Sequence, residues 1–390
     1  MSLPALHLSG SPYQQGCQHG AALRGEIGTN LAIYFARFER ELHLTRAETL
    51  RRARVYAEAI ADQNPAYAAA MRGIADGSGY SYAEIAALNV RYELFYHQFG
   101  HNAMADGCTA IALLPTVTAD GHLWLAENWD WIVGVRGAIL HSRTEDGMTI
   151  RAFTEAGIVG GKIGFNSAGL GLLINGLTSS EDDWARLQRP FHLRCYEILH
   201  SHSLDAAISI VMDAPRSCSA NFLLAQVPDR AVTIESAPHR AVLRPAQAGY
   251  LVHTNHFVDA ALLGVHEPPV ESCPHSHWRL ERSEQLLAGQ RSLGLSHLQT
   301  ILRDHQQHPY GICFHIDPAE PPTEHYQTVV SVMMDLHAQR FYLSDGPPCA
   351  HAYAEEPPHA LPSTSSGSGA LAEPVEANAP RSGCPKASSR

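Results

Sequence analysis

The feature that most constrains this 390-residue sequence is a change of texture at Gly107-Cys108. Before it, apolar residues recur at helical spacing. After it, they come in short β-type runs broken by turn residues. Leu23, Ile27, Leu31, Tyr34, Phe38 and Leu42 mark one face of an amphipathic helix. A second helical stretch spans 47–74, interrupted at Asn64-Pro65 and closed by Asp76-Gly77-Ser78-Gly79. A third is predicted from Tyr82 to His97, with Ser81 as N-cap and Glu84 in the first turn. Beyond Cys108, strands are predicted at 109–114, 123–128, 138–142, 149–154 and 170–174. Helices at 190–200 and 204–212 are followed by strands at 221–226, 231–235 and 250–254. Helices at 278–288 and 296–304 then precede strands at 328–334 and 340–343. Elements in such blocks, rather than repeated βαβ units, predict an α+β chain of sheets layered with helices. From 351 onward the chain is rich in Pro, Ser, Ala, Gly and Glu, so it buries too little to offset ordering entropy. The expected organisation is a helical segment 1–107, a core 108–350 and a disordered tail 351–390.

Charge and composition remove several function classes. The balance of 28 Lys+Arg against 39 Asp+Glu gives −11, which argues against a general nucleic-acid binder. No segment approaches the ~20 apolar residues of a membrane span. The first residues have neither a basic nor a long apolar region, so no signal peptide is expected. Eight cysteines are scattered without a C-x-x-C pair and read as reduced thiols, with the cytoplasm as the expected compartment. The 24 histidines invite a metal reading, yet there is no H-E-x-x-H and no zinc-type spacing, so no metal is expected. Gly157-Ile158-Val159-Gly160-Gly161-Lys162-Ile163 is not a phosphate loop. Three residues, not four, precede Gly161-Lys162, and isoleucine stands where Ser/Thr should be. Those glycines are expected to serve close backbone packing. Gly164-Phe165-Asn166-Ser167-Ala168-Gly169 is not a serine-hydrolase elbow either.

Cys108 itself has two readings. It is an inert buried thiol, or it attacks the Gly107 carbonyl and cuts the chain, becoming a new N-terminus. In the second case its freed α-amino group, with an unperturbed pKa near ~8, serves as the base.

An ordered set of motifs bears on the choice. Asp106-Gly107-Cys108-Thr109, Glu127-Asn128-Trp129-Asp130, Thr154-Glu155-Ala156-Gly157, Gly164-Phe165-Asn166-Ser167-Ala168-Gly169 and His253-Thr254-Asn255-His256 follow one another. Upstream stand Gly16-Cys17-Gln18-His19-Gly20 and Leu88-Asn89-Val90-Arg91-Tyr92-Glu93-Leu94. In motif and spacing the set resembles the acyl-coenzyme A:6-aminopenicillanic acid acyltransferase (isopenicillin N acyltransferase) family of self-processing N-terminal-nucleophile hydrolases. The resemblance covers residues 10–346. It implies a four-layer αββα sandwich of two antiparallel sheets between helical layers, and cleavage at Gly107–Cys108 into two chains that stay associated. It also implies Cys108 as the nucleophile toward a small acylated amine, a peptide or an acyl thioester such as an acyl-coenzyme A. No metal or redox cofactor is implied. Asp130, by position alone a turn or cap carboxylate, becomes the family aspartate that orients the Cys108 amine or a polar group of the substrate. Asn255, otherwise a turn asparagine, becomes an oxyanion donor. Asn175, in Ile174-Asn175-Gly176, is a further candidate through its backbone N–H. The competing expectation is a non-catalytic binding protein that keeps the fold and is never cleaved.

Overall fold

The structure is a computed structural model and describes residues 3–96, 107–213 and 215–357. Its strands are β1 (Ala5–Leu8), β2 (Thr109–Leu113), β3 (Trp124–Ile132), β4 (Gly137–Arg143), β5 (Thr149–Glu155), β6 (Ile163–Asn166) and β7 (Leu170–Gly176). They continue with β8 (Ala220–Gln226), β9 (Arg230–Ala237), β10 (Arg240–Pro245), β11 (Tyr250–His253), β12 (Tyr326–Asp335), β13 (Arg340–Asp345) and β14 (Ala354–Glu356). One sheet has the order β1-β4-β5-β6-β7-β8-β9-β10 and the other β11-β2-β3-β12-β13-β14. Pairings are antiparallel except for β1, which runs parallel to β4.

The inner strands read as unbroken apolar runs because both of their faces are covered. Along β2, Ala110 and Ala112 face the core shared with the other sheet, whereas Ile111 and Leu113 join a second cluster. That cluster holds Leu287, Leu298, Ile301 and Leu302, from the helices Pro274–Leu287 and Leu295–Leu302, which cover the outside of the six-stranded sheet. Phe191, Leu193 and Ile198 of helix Phe191–Leu199, with Leu204 and Ala207 of helix Leu204–Met212, cover the eight-stranded one. Helix, sheet, sheet, helix is therefore the layer order.

The N-terminal helices carry their own stop signals. Asn64 caps helix Pro65–Ser78 by accepting from the Tyr67 N–H at 3.0 Å, and Gly79 ends it with φ 77°. Ser81 and Glu84 form the reciprocal capping box of helix Tyr82–Asn89. The expected third helix is split, since Asn89 is followed by a second piece, Arg91–Tyr96; His97 lies outside the described residues. Helix Pro12–Ala22, absent from the sequence expectation, packs on Pro65–Ser78 through glycines. A Cβ on Gly16 would collide with the Ala70 carbonyl oxygen, and one on Gly73 with that of Tyr13. Gly20 and Gly77 are closed in the same way by Ile74 and Cys17.

Besides its helices, the segment before Cys108 carries the strand β1, which joins the eight-stranded sheet. The expected start of the tail needs correction. The fold continues past 350. Strand β14 pairs with β13, Glu355 pairs with Arg340 at 2.6 Å, and Tyr353 Oη lies 2.6 Å from Ser331 Oγ. A three-residue polar edge strand has no hydrophobic pattern by which a sequence can announce it. The rest of the expected tail, Cys384 included, lies outside the described residues.

Candidate functional site

Strand register brings the predicted residues together. Thr109 stands opposite Asn128 in the β2–β3 pair, so the chain entering β2 runs alongside Trp129 and Asp130. Cys108 is buried, and its Sγ lies 3.8 Å from the Asp130 carbonyl oxygen. A Cβ placed on Gly107 would stand 2.7 Å from Asp130 Oδ2 and 2.7 Å from Phe314 Cδ2. Only glycine lets the carboxylate approach the Gly107–Cys108 peptide this closely. Asp130 is fully buried, and its Oδ1 accepts from Thr328 Oγ1 at 2.6 Å across the β3–β12 pair.

The Cys108 carbonyl oxygen is the second focus. It accepts from Arg279 Nη1 at 2.7 Å and from Asn175 Nδ2 at 3.4 Å. Arg279, buried on helix Pro274–Leu287, also donates to Thr109 Oγ1 at 3.0 Å and to Asn255 Oδ1 at 3.1 Å. Asn175 thus faces the site with its side chain, whereas the backbone N–H expected as a donor belongs to β7, in register with Asn221. Asn255 is adjacent, with its backbone N–H and one hydrogen of its side-chain amide already engaged. Its backbone N–H donates to Ser276 Oγ at 2.8 Å and its side-chain amide to the Gly176 carbonyl at 3.2 Å.

Behind Asn175 lies a buried polar chain that the sequence did not reveal. Asn175 Oδ1 faces His253 Nδ1 at 3.1 Å, and His253 Nε2 faces Glu235 Oε1 at 2.9 Å. Burial alone would raise the Glu235 carboxyl. The bond from His253, with backbone N–H bonds from Val258 and Asp259, outweighs it and holds the pKa below the usual carboxylate value. Arg279 was missed for a plain reason: its helix stretch offers two arginines, Arg279 and Arg282, and periodicity marks neither.

The Thr154-Glu155-Ala156-Gly157 motif builds a support. Glu155 is buried between Arg91, Lys162 and the Tyr34 hydroxyl, with Arg91 Nε at 3.0 Å. Lys162 Nζ lies 3.2 Å above the Trp129 ring centroid, and burial pushes its pKa down to about 8. The glycine-rich run before Lys162 is thus a packing device, as expected; a Cβ on Gly161 would collide with that of Ala152. Gly157 donates its N–H to Nε2 of buried His19 at 2.9 Å, which joins the first motif to this one.

Away from this centre, folding brings His305, Cys313, His315 and Cys349 together, with one ligand atom of each lying within 4.8 Å of the others. The expectation that no metal-type set exists was drawn from spacing, and Cys349 lies too far along the chain for spacing to reveal it. Cys108, Cys195, Cys218, Cys273, Cys313 and Cys349 are not in disulfides. Cys17 is disulfide-bonded, contrary to the expectation of reduced thiols throughout. No helix among the described residues is long and apolar enough to cross a membrane.

The two sheets between helical layers make the αββα sandwich that the sequence resemblance implied, and the chain enters β2 of the six-stranded sheet through the buried Cys108. Residues 117–348 match the family described as acyl-coenzyme A:6-aminopenicillanic acid acyl-transferase, and the chain belongs to that family. A curated relative is the acyl-coenzyme A:6-aminopenicillanic-acid-acyltransferase 40 kDa form of Emericella nidulans. It is 29% identical over 316 residues, covering 79% of this chain and 84% of that protein. Among solved structures, a Caenorhabditis elegans N-acylethanolamine-hydrolyzing acid amidase ortholog aligns with TM-score 0.43 and 15% identity. That alignment covers 59% of this chain and 93% of that one. Penicillin V acylase from Agrobacterium tumefaciens aligns with TM-score 0.43 and 12% identity, covering 61% and 83%. At such scores the family assignment rests on the sequence match.

Proposed function

We propose that this protein is a self-processing cysteine amidohydrolase or acyltransferase whose nucleophile is Cys108. Family membership supports the reaction class. The observation that carries the residue assignment is the enclosure of one buried cysteine from both sides: Asp130 lies against Gly107 before it, and Asn175 and Arg279 donate to the carbonyl oxygen of Cys108 itself.

In maturation, Cys108 Sγ attacks the Gly107 carbonyl carbon. The C–N bond breaks as the C–S bond forms, and the thiol proton passes to the departing nitrogen. Water then hydrolyses the thioester, giving chain 1–107 with a new carboxylate and chain 108–390 with a free amine and a regenerated thiol. The core shared by the N-terminal helices and both sheets, which includes Tyr34, Phe38 and Trp131, keeps the two chains together. In turnover the Cys108 amine takes the thiol proton, the thiolate attacks an amide or thioester carbonyl, and the leaving group departs with a proton. The acyl-enzyme passes its acyl group to water or to an amine. Asp130 holds the new ammonium group in place. Asn255 supplies an oxyanion donor when its side-chain amide exchanges the Gly176 carbonyl for substrate. Acyl-coenzyme A is a fitting donor, since the relative named above carries it in its name.

Denaturing intact-mass measurement tests the proposal. Purified active protein should give both fragments, and Cys108→Ala should give one inactive chain. Active protein consisting of a single full-length species would overturn self-processing and favour the uncleaved reading.

A further inference from the structure

His305, Cys313, His315 and Cys349 come from three separate turns: after helix Leu295–Leu302, before β12 and after β13. His315 Nε2 lies 3.1 Å from His305 Nε2, 3.4 Å from Cys313 Sγ and 3.4 Å from Cys349 Sγ. A ring nitrogen carries at most one hydrogen, so it can satisfy only one of three such neighbours by hydrogen bonding. A cation shared among the four satisfies all of them. Zinc–sulfur and zinc–nitrogen bonds of about 2.3 and 2.0–2.1 Å, arranged tetrahedrally, set N–N edges of about 3.3 Å and S–N edges of about 3.5 Å. The separations fall within a few tenths of an ångström of those edges. We propose that these two cysteines and two histidines form a structural zinc site.

Four protein ligands leave no open position, so the ion is a clamp and not a source of activated water. What it clamps is informative. Phe314 lies between two of the ligands, and its ring edge is what a Cβ on Gly107 would meet. The Phe314 N–H donates to Thr328 Oγ1 at 3.1 Å, and that hydroxyl donates to Asp130 Oδ1. The Thr328 N–H returns a bond to the Phe314 carbonyl at 3.0 Å. Asn128 Nδ2 ties the same segment down through the carbonyls of Leu302 and Ile312, at 2.9 and 2.8 Å. The ion thereby fixes the 303–315 segment to the turn at Cys349, and with it the wall against Gly107–Cys108. The clamp's effect on maturation rests on the self-processing reading, whereas the metal site does not.

Elemental analysis of the full-length protein, purified under reducing conditions without chelator, tests the site. It should find about one zinc per chain. Cobalt substitution should give thiolate-to-metal charge-transfer absorption. Cys349→Ser and His305→Ala, both at exposed positions, should each lower affinity at least about tenfold. Reduced protein that takes up neither zinc nor cobalt would overturn the site. So would a metal-free protein whose mass is short by two hydrogens through a Cys313–Cys349 disulfide, or variants that bind as the parent does. Cleavage at Gly107–Cys108 should be slower in Cys349→Ser by about tenfold or more; an unchanged rate in metal-free variant would remove the clamp and leave the metal site standing.

Discussion

His19 offers a measurable link between the N-terminal segment and the core. It is buried on helix Pro12–Ala22, and its Nε2 accepts the Gly157 N–H at 2.9 Å, which requires that nitrogen to be unprotonated. Burial lowers its pKa to about 4, against about 6.5 for an unfolded histidine. Between these values the unfolded chain takes a proton that the folded chain refuses. Stability from this residue is therefore fully present above pH ~6.5 and is lost as the pH falls toward 4, by about 3 kcal/mol in all. His19→Gln cannot titrate, so its stability should fall less steeply over that window. At neutral pH the substitution should cost about 1–3 kcal/mol if the Gly157 N–H is left unsatisfied. The assay is urea unfolding of both proteins across the window, on a Cys108→Ala background so that one chain is followed. Burial also lowers the pKa of His256 and His275, each to about 3, so the difference between the two curves isolates His19. Parallel curves would refute the reasoning. If the chain is cleaved, the same bond crosses between the products, and mild acid should favour their separation in the parent more than in the variant.

Arg279→Lys leaves one nitrogen where the guanidinium spans Cys108 O and Asn255 Oδ1; kcat/KM should drop about 10²–10³-fold, checked by steady-state kinetics on correctly processed protein. Glu155→Gln removes the carboxylate between buried Arg91 and Lys162 and should destabilise the fold by about 3–5 kcal/mol in chemical denaturation. Truncation after residue 350 removes β14 and the Tyr353–Ser331 bond, and should lower the midpoint of thermal unfolding by several degrees.

Elements whose signals are local were legible. Ser81 caps its helix with Glu84 as expected, and the expected interruption at Asn64-Pro65 is a new helix start whose first free N–H groups Asn64 caps. The β2–β3 arrangement followed from two apolar runs and a turn, and its register alone carries Asp130 to Gly107. Strands β1, β6, β10 and β14 were not legible. They are short or edge strands, formed because a neighbour offers a ladder and not because their own sequence insists on one. The site was half legible for a related reason. Cys108 and Asp130 lie on adjacent strands, whereas Arg279, Glu235 and His253 reach it by tertiary packing that no spacing encodes. The Cys and His cluster is the extreme case, since its members meet only after the chain has passed through β12 and β13.

The glycine crossing of helices Pro12–Ala22 and Pro65–Ser78 has a kinetic consequence. At Gly16, Gly20, Gly73 and Gly77 backbone lies against backbone, so the contact freezes no side-chain rotamers and leaves no gap for water. A helix pair joined this way has no half-open form in which one side chain swings aside while the rest stays docked. Its amide hydrogens should therefore exchange with solvent as one cooperative block, through the release of the entire crossing. Within the N-terminal segment this pair is then the last part to let deuterium in, well after the fraying ends of helix Arg46–Gln63 have exchanged.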